Sequence, residues 1–392
     1  MDIDTMEYGL VRYGTPSYIY DLDELEHTVK EFQEILGKGT GLCFAVKANP
    51  FVADRMASLT GRLEICSPGE FYICREAGVP PEKMLISGVL KEKEELSEIL
   101  DFCGGKALCS IESFRQLQIV SDWSLENRKK ISILLRLTSG NQFGMSREEL
   151  AGILSTREVF PYVEIRGLHY FSGTQKRSTE QIQKELKELD RVCMELQREQ
   201  GFQIRLLEYG PGLPAVYFQG QKDIRRETLQ EIRRTREEME WQGELVLEMG
   251  RALAADCGVY AVRVRDMKRN EDRNYCIVDG GSHQMHYDGQ IRGLYEPHWR
   301  VLQEDPMGLK EEWTVCGALC TSADVLIQKA GIRNLRLGDI LVFQGTGAYS
   351  ATEGMALFLS RDLPAVLLYS RDRGWRQVRE RQQIWKWNTE EK

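Results

Sequence analysis

The chain has 392 residues, 42% hydrophobic and 29% charged, the balance of a globular protein with ample core rather than a disordered one. With 52 basic against 60 acidic residues its formal net charge is −8, which argues against generic attraction to nucleic acid or an anionic membrane. No run approaches the roughly 18 apolar residues of a membrane span, and the opening "MDIDTMEYGL" lacks the layout of a signal peptide.

In chain order, "PSYIYDLDEL" predicts a strand before the first helix. A regular beat follows, with short apolar or β-branched runs at 42–47, 62–65, 84–87, 106–109, 131–137, 164–169, 205–208 and 244–248. Between them lie stretches with apolar residues three and four apart, such as "EFYICREAGV" and "STEQIQKELKELDRVCMELQRE". The second opens with a capping-box spacing, Ser178 to Gln181. Eight strands alternating with helices predict an α/β fold, a parallel (β/α)8 TIM barrel over residues 23–248. After Glu248 the helical period fades. "CGVYAVRVRDM", "RNYCIVDGG", "EEWTVCGALC" and "GDILVFQGTG" predict an antiparallel β-domain over residues 249–392, which residues 1–22 join. The basic stretch "SRDRGWRQVRERQQIWKW" reads as a strand with solvated flanks. Ten scattered cysteines, with no CxxC pair and no ligand-like spacing to histidine, fit reduced thiols of a cytoplasmic protein and offer no metal site.

In such a barrel, side chains at the C-terminal ends of the strands converge on the active site. Lys47 ends the first predicted strand; Glu64 and Ser67 lie at and after the second, and Arg136 in the fifth. His169, Phe171 and Thr174 follow the sixth, Gly210-Pro211-Gly212 the seventh, and Glu248-Met249-Gly250-Arg251 close the eighth. Each has a plainer reading. Lys47 can be a snorkelling strand-end cation, Gly210 and Gly212 can shape a turn, and His169 can be a satisfied interior histidine. His283 and His286 suit a pocket mouth or a solvated turn equally. Taken together, a lysine beside glycine-rich phosphate loops points to a Schiff base with pyridoxal phosphate, and Glu248 to the partner of its ring nitrogen.

The segments "SYIYDLDEL", "FAVKANP", "CSPGE", "QFGM", "GLHYFSGTQ", "EMGR", "CGALCTSADVL" and "GAYS" resemble the fold-type III pyridoxal-phosphate decarboxylases, the group of diaminopimelate, ornithine and arginine decarboxylases. The resemblance spans nearly the whole chain. It implies a cofactor barrel followed by a β-domain, paired head to tail in a homodimer with shared active sites. By matched position Lys47 anchors the cofactor and Glu248 meets its ring nitrogen. Thr174, Gly210, Gly212, Gly250, Arg251 and Tyr349 surround the phosphate, and Glu64, Glu70 and Arg136 support the lysine and the ring. Cys320, presented by the partner subunit, returns a proton to carbon after carbon dioxide leaves, and Asp324 helps build that substrate loop.

The departures concern the substrate. Phe171 stands where the pattern has a stacked histidine, after His169, which matches the first histidine. Pro211 removes a backbone donor from the glycine triplet, and Met249 replaces a proline. Thr321 stands where related enzymes carry the acid that grips a distal ammonium, and "GGSHQMHYDGQ" lacks their arginine-proline pair. These features resemble a branch that includes decarboxylases of glutamyl groups held on carrier proteins. The expectation is a decarboxylase of an α-amino acid, free or carrier-tethered, other than free diaminopimelate. Diaminopimelate decarboxylation, a racemase and an inactive homologue are the alternatives. A racemase would put an arginine at Glu248 and a tyrosine at Cys320; an inactive relative would lose Lys47 or Cys320.

Overall fold

The computed structural model describes residues 1–390, and the chain divides into two compact units. One comprises Thr28–Pro214 and Asp223–Leu253; the other comprises Met1–His27, Ala215–Lys222 and the chain from Ala254 onward.

Strand β1 (Ser17–Asp21) belongs to the second unit. The first unit is a closed parallel barrel of β2 (Thr40–Ala45), β3 (Arg62–Ile65), β4 (Met84–Ile86), β5 (Leu108–Ile111), β6 (Ile131–Arg136), β7 (Val163–Phe171), β8 (Leu206–Gly210) and β9 (Glu244–Met249), with β2 paired to β9. Its strands are apolar runs because both faces are covered. Cys43, Leu85, Leu134, Leu206 and Val246 pack together inside. The helix Thr179–Gln200 buries Ile182, Leu186, Leu189, Val192, Cys193 and Leu196, a stripe at helical spacing. Ser178 caps it by accepting from the Gln181 N–H.

The first barrel strand stops at Ala45, short of the expected Lys47. Val46–Ala48 form a single 3-10 turn, and the Asn49 side chain accepts from the Phe51 N–H. Asn49, in extended geometry ahead of Pro50, ends that turn. Lys47 therefore projects from a turn at the barrel mouth.

The β-unit adds β10 (Gly258–Asn270), β11 (Arg273–Val278), β12 (Trp299–Val301), β13 (Lys310–Cys316), β14 (Val325–Arg333), β15 (Ile340–Gln344), β16 (Ala365–Ser370) and β17 (Gly374–Arg379). Most pairings are antiparallel, as expected, but β1 runs parallel to β16 and β11 parallel to β13. The sheet is thus mixed. A parallel pair needs a long crossover, and residues 279–309, including β12, supply it between β11 and β13. Met6 and Leu10 of the helix Ile3–Tyr13 pack on Ile19, Ala261, Ile340, Val342 and Leu367. Residues 215–222, expected within the barrel, fold with the β-unit: Gln219 N–H donates to Glu296 O at 2.9 Å and His298 N–H to Tyr217 O at 3.1 Å.

Candidate active site

At the mouth of β2 and β3, Lys47 Nζ lies 2.5 Å from Glu64 Oε2 and 3.3 Å from Cys66 Sγ, and the thiol lies 3.1 Å from Glu64 Oε1. Burial alone would raise the Glu64 carboxyl, but Lys47 and then His169 outweigh it and hold that carboxyl well below its ordinary range. The Glu70 carboxylate accepts the Cys66 N–H at 2.8 Å and fixes the start of the helix Pro68–Glu76.

Deeper in the barrel, the register sets Arg136, His169 and Glu208 abreast on β6, β7 and β8. His169 Nδ1 is 2.7 Å from Ser110 Oγ, and its Nε2 is 3.0 Å from Glu248 Oε2 without forming an aligned hydrogen bond. Glu248 Oε2 is consequently a buried acceptor with no hydrogen-bond partner. Glu208 is wholly buried and pairs with Arg62 at 3.0 Å. Burial pushes its carboxyl up to about 7 against the pull of Arg62, with Glu248 adding to the rise. Arg136 spends its guanidinium on buried Glu112 at 3.0 Å and lies over the Phe143 ring, so it shapes the loop after β6.

Beside this layer the loops after β7 and β8 form a glycine-walled cup. A β-carbon on Gly212 would fall 2.0 Å from Gly173 O, and Gly212 has φ +66°. Only glycine suits both demands. Arg251 Nε donates to Thr174 Oγ1 at 3.4 Å, and Gly250 leads into the short helix Arg251–Ala254. Phe171 ends β7 against Gly210. Glu185 ties the loop after β7 to strand β8 from the neighbouring helix, accepting from Ser172 Oγ at 2.7 Å, Tyr209 OH at 2.7 Å and Lys176 Nζ at 2.5 Å.

In the β-unit, Cys320 is exposed and Thr321 Oγ1 accepts from Ala323 N–H at 3.3 Å. Asp324, expected among the substrate residues, is instead buried, accepting from Ser282 N–H at 2.7 Å and Leu319 N–H at 2.8 Å. A β-carbon on Gly317 would lie 2.2 Å from its Oδ2. Both of its carboxylate oxygens are engaged in anchoring the Cys320 loop. Tyr349 sits in a left-handed turn at φ 67°, its carbonyl accepting from Thr352 and Glu353 N–H. His283 is buried with both ring nitrogens unpartnered, and burial lowers its proton affinity; His286 is at 3.2 Å from Glu353 instead.

Cys66, Ser110, Glu185 and Glu208 were not legible as site residues. Of these only Glu208 carries a signal, an acid inside the apolar run "LLEYG".

A lysine on the turn after β2 paired to a buried acid, a buried carboxylate oxygen with no hydrogen-bond partner suited to a ring N–H, and a glycine cup with threonine and arginine fit pyridoxal phosphate. They define a barrel enzyme of that cofactor. The chain belongs to the pyridoxal-dependent decarboxylases: the family model of their pyridoxal binding domain matches residues 22–255. Diaminopimelate decarboxylase of Haemophilus influenzae is 29% identical over 369 residues, covering 87% of this chain and 85% of that protein. The L-glutamyl-[BtrI acyl-carrier protein] decarboxylase of Niallia circulans is 25% identical over 402 residues, covering 94% and 92%. Among solved structures, diaminopimelate decarboxylase of Methanocaldococcus jannaschii in complex with L-lysine superposes with TM-score 0.85 at 22% identity, covering 95% of this chain and 91% of that one. The chain is a pyridoxal-phosphate-dependent carboxy-lyase acting on an amino acid. Among the described residues no helix is long and apolar enough to cross a membrane.

Proposed function

We propose that the chain decarboxylates an α-amino acid whose far end carries no free ammonium, either free or tethered to a carrier protein. When bound, pyridoxal phosphate supplies the electron sink for the pair left by the departing carboxylate. Lys47 anchors its aldehyde, with Glu64 holding the amine in place. Glu248 would hold a proton at the ring nitrogen, and Phe171 would lie at the face of the ring. Thr174, Gly210, Gly212, Gly250, Arg251 and Tyr349 receive the phosphate. Cys320 delivers a proton to the α-carbon, coming from the partner subunit of a head-to-tail homodimer working in the cytoplasm.

The observation that carries the substrate reading is the state of the Cys320 loop. Its one acid, Asp324, is buried and engaged by two backbone N–H groups, and Thr321 offers only a hydroxyl. Such a loop has no carboxylate with which to grip a distal cation, and a site without that partner discriminates poorly for it. The likeness to the carrier-protein glutamyl decarboxylase supports the same reading. The likeness to diaminopimelate decarboxylases favours a second one, lysine formation from meso-diaminopimelate.

Carbon dioxide release across a panel of free amino acids and carrier-bound aminoacyl groups separates the two. The proposal expects kcat/KM for diaminopimelate to be at least about a hundredfold below that of the best substrate. Efficient lysine formation overturns it.

A further inference from the structure

Three local contacts fix the backbone of Cys66 just past β3. Its N–H donates to Glu70 Oε2 at 2.8 Å, and Ser67 caps the following helix through the Glu70 N–H. Gly88 packs so closely that a β-carbon there would lie 2.4 Å from the Cys66 carbonyl oxygen. From that fixed backbone the thiol accepts from Lys47 Nζ at 3.3 Å and donates to Glu64 Oε1 at 3.1 Å, closing a triangle on the 2.5 Å ion pair. Burial, and then the charge of Glu64, push the thiol well above its usual range. It is a neutral donor rather than a nucleophile.

We infer that Cys66 is a positioning residue for Lys47: its S–H donates to Glu64 and tempers that carboxylate's hold on the lysine proton. The inference rests on Lys47 being the cofactor-bearing amine. An amine must shed its proton before the nitrogen attacks an aldehyde carbon. A carboxylate at 2.5 Å, shared with no other donor, would hold the ammonium charged. A thiol on the same carboxylate spends part of its acceptor capacity elsewhere. Charged groups that face the trio include Glu70 from the following helix, Lys91 from the segment after β4 and His169 from β7. All three are untouched in the variants below.

The test is the pH dependence of Lys47 arylation by 1-fluoro-2,4-dinitrobenzene in the full chain freed of cofactor, read by peptide mass mapping in wild type, Cys66→Ala and Cys66→Ser. The Lys47 midpoint rises by about half a unit to one unit in Cys66→Ala. Cys66→Ser keeps a donor, so its midpoint stays at or below that of wild type. An unchanged or lowered midpoint in Cys66→Ala, or the same upward shift in both variants, overturns the role of Cys66. Borohydride reduction of the chain loaded with pyridoxal phosphate runs alongside. Failure to trap cofactor on Lys47 overturns the reading of Lys47 itself, whereas trapping with unaltered midpoints overturns the Cys66 inference alone.

Discussion

The ring of Phe171 rests on the backbone of Gly210: a β-carbon at 210 would come within 2.5 Å of Phe171 Cδ2. A phenyl ring can stack on a flat cofactor but cannot hydrogen-bond to it, so its tilt sets what it contributes. Gly210→Ala should tip the ring and raise the Kd for pyridoxal phosphate by about tenfold, measured by equilibrium dialysis. An unchanged Kd would remove this packing from the account.

Glu185 joins the cup loop after β7 to strand β8 through Ser172, Lys176 and Tyr209. Removing its charge strands the buried Lys176 ammonium, which burial already disfavours. Glu185→Gln should weaken pyridoxal phosphate about tenfold and leave unphosphorylated pyridoxal unchanged, because only the former uses the cup. Equal losses for both compounds would point to general distortion.

Glu208 makes stability depend on pH. Its carboxyl is raised from an ordinary 4.5 to about 7 on folding, so the folded chain holds the proton more tightly than the unfolded one. That favourable contribution is complete below pH 4.5, is lost as pH rises through 7, and is constant beyond. The loss is on the order of 3 kcal/mol. Glu208→Gln cannot ionise, so relative to wild type it should gain stability as pH rises from 4.5 through about 7 in urea titrations. A difference independent of pH would show that Glu208 does not titrate in this range.

The eight barrel strands were legible because parallel strands covered on both faces are plain apolar runs, as in "ISILLRL". Lys47 was legible by type, but the apolar run did not show that the strand gives way to a 3-10 turn at Val46. The parallel pairing of β11 with β13 was not, since nothing within a strand states the direction of its neighbour. Asp324 looked like a substrate residue beside Cys320; its burial depends on Gly281 and Gly317 making room, a fact of three dimensions. Cys66 and Glu185 act through partners distant in sequence or on another element, and no local pattern announces them.

Thr321→Glu should restore a grip on a distal ammonium and raise kcat/KM for diamino acids by about tenfold or more, with kcat for the native substrate falling. Steady-state assays on meso-diaminopimelate and ornithine check this. No gain would mean that the far end of the substrate lies away from residue 321.

Glu248→Gln should leave pyridoxal phosphate bound but slow carbon dioxide release by about a hundredfold, since a neutral amide cannot keep the ring nitrogen protonated. An equal loss of cofactor affinity and rate would instead make Glu248 a mere binding contact.

The most direct measurement is borohydride reduction of the full chain loaded with pyridoxal phosphate, followed by peptide mapping. The cofactor should be found fixed to Lys47 and to no other lysine, and Lys47→Ala should carry none. A label on Lys91 or Lys176, or no label on a chain that still releases carbon dioxide, would contradict the account.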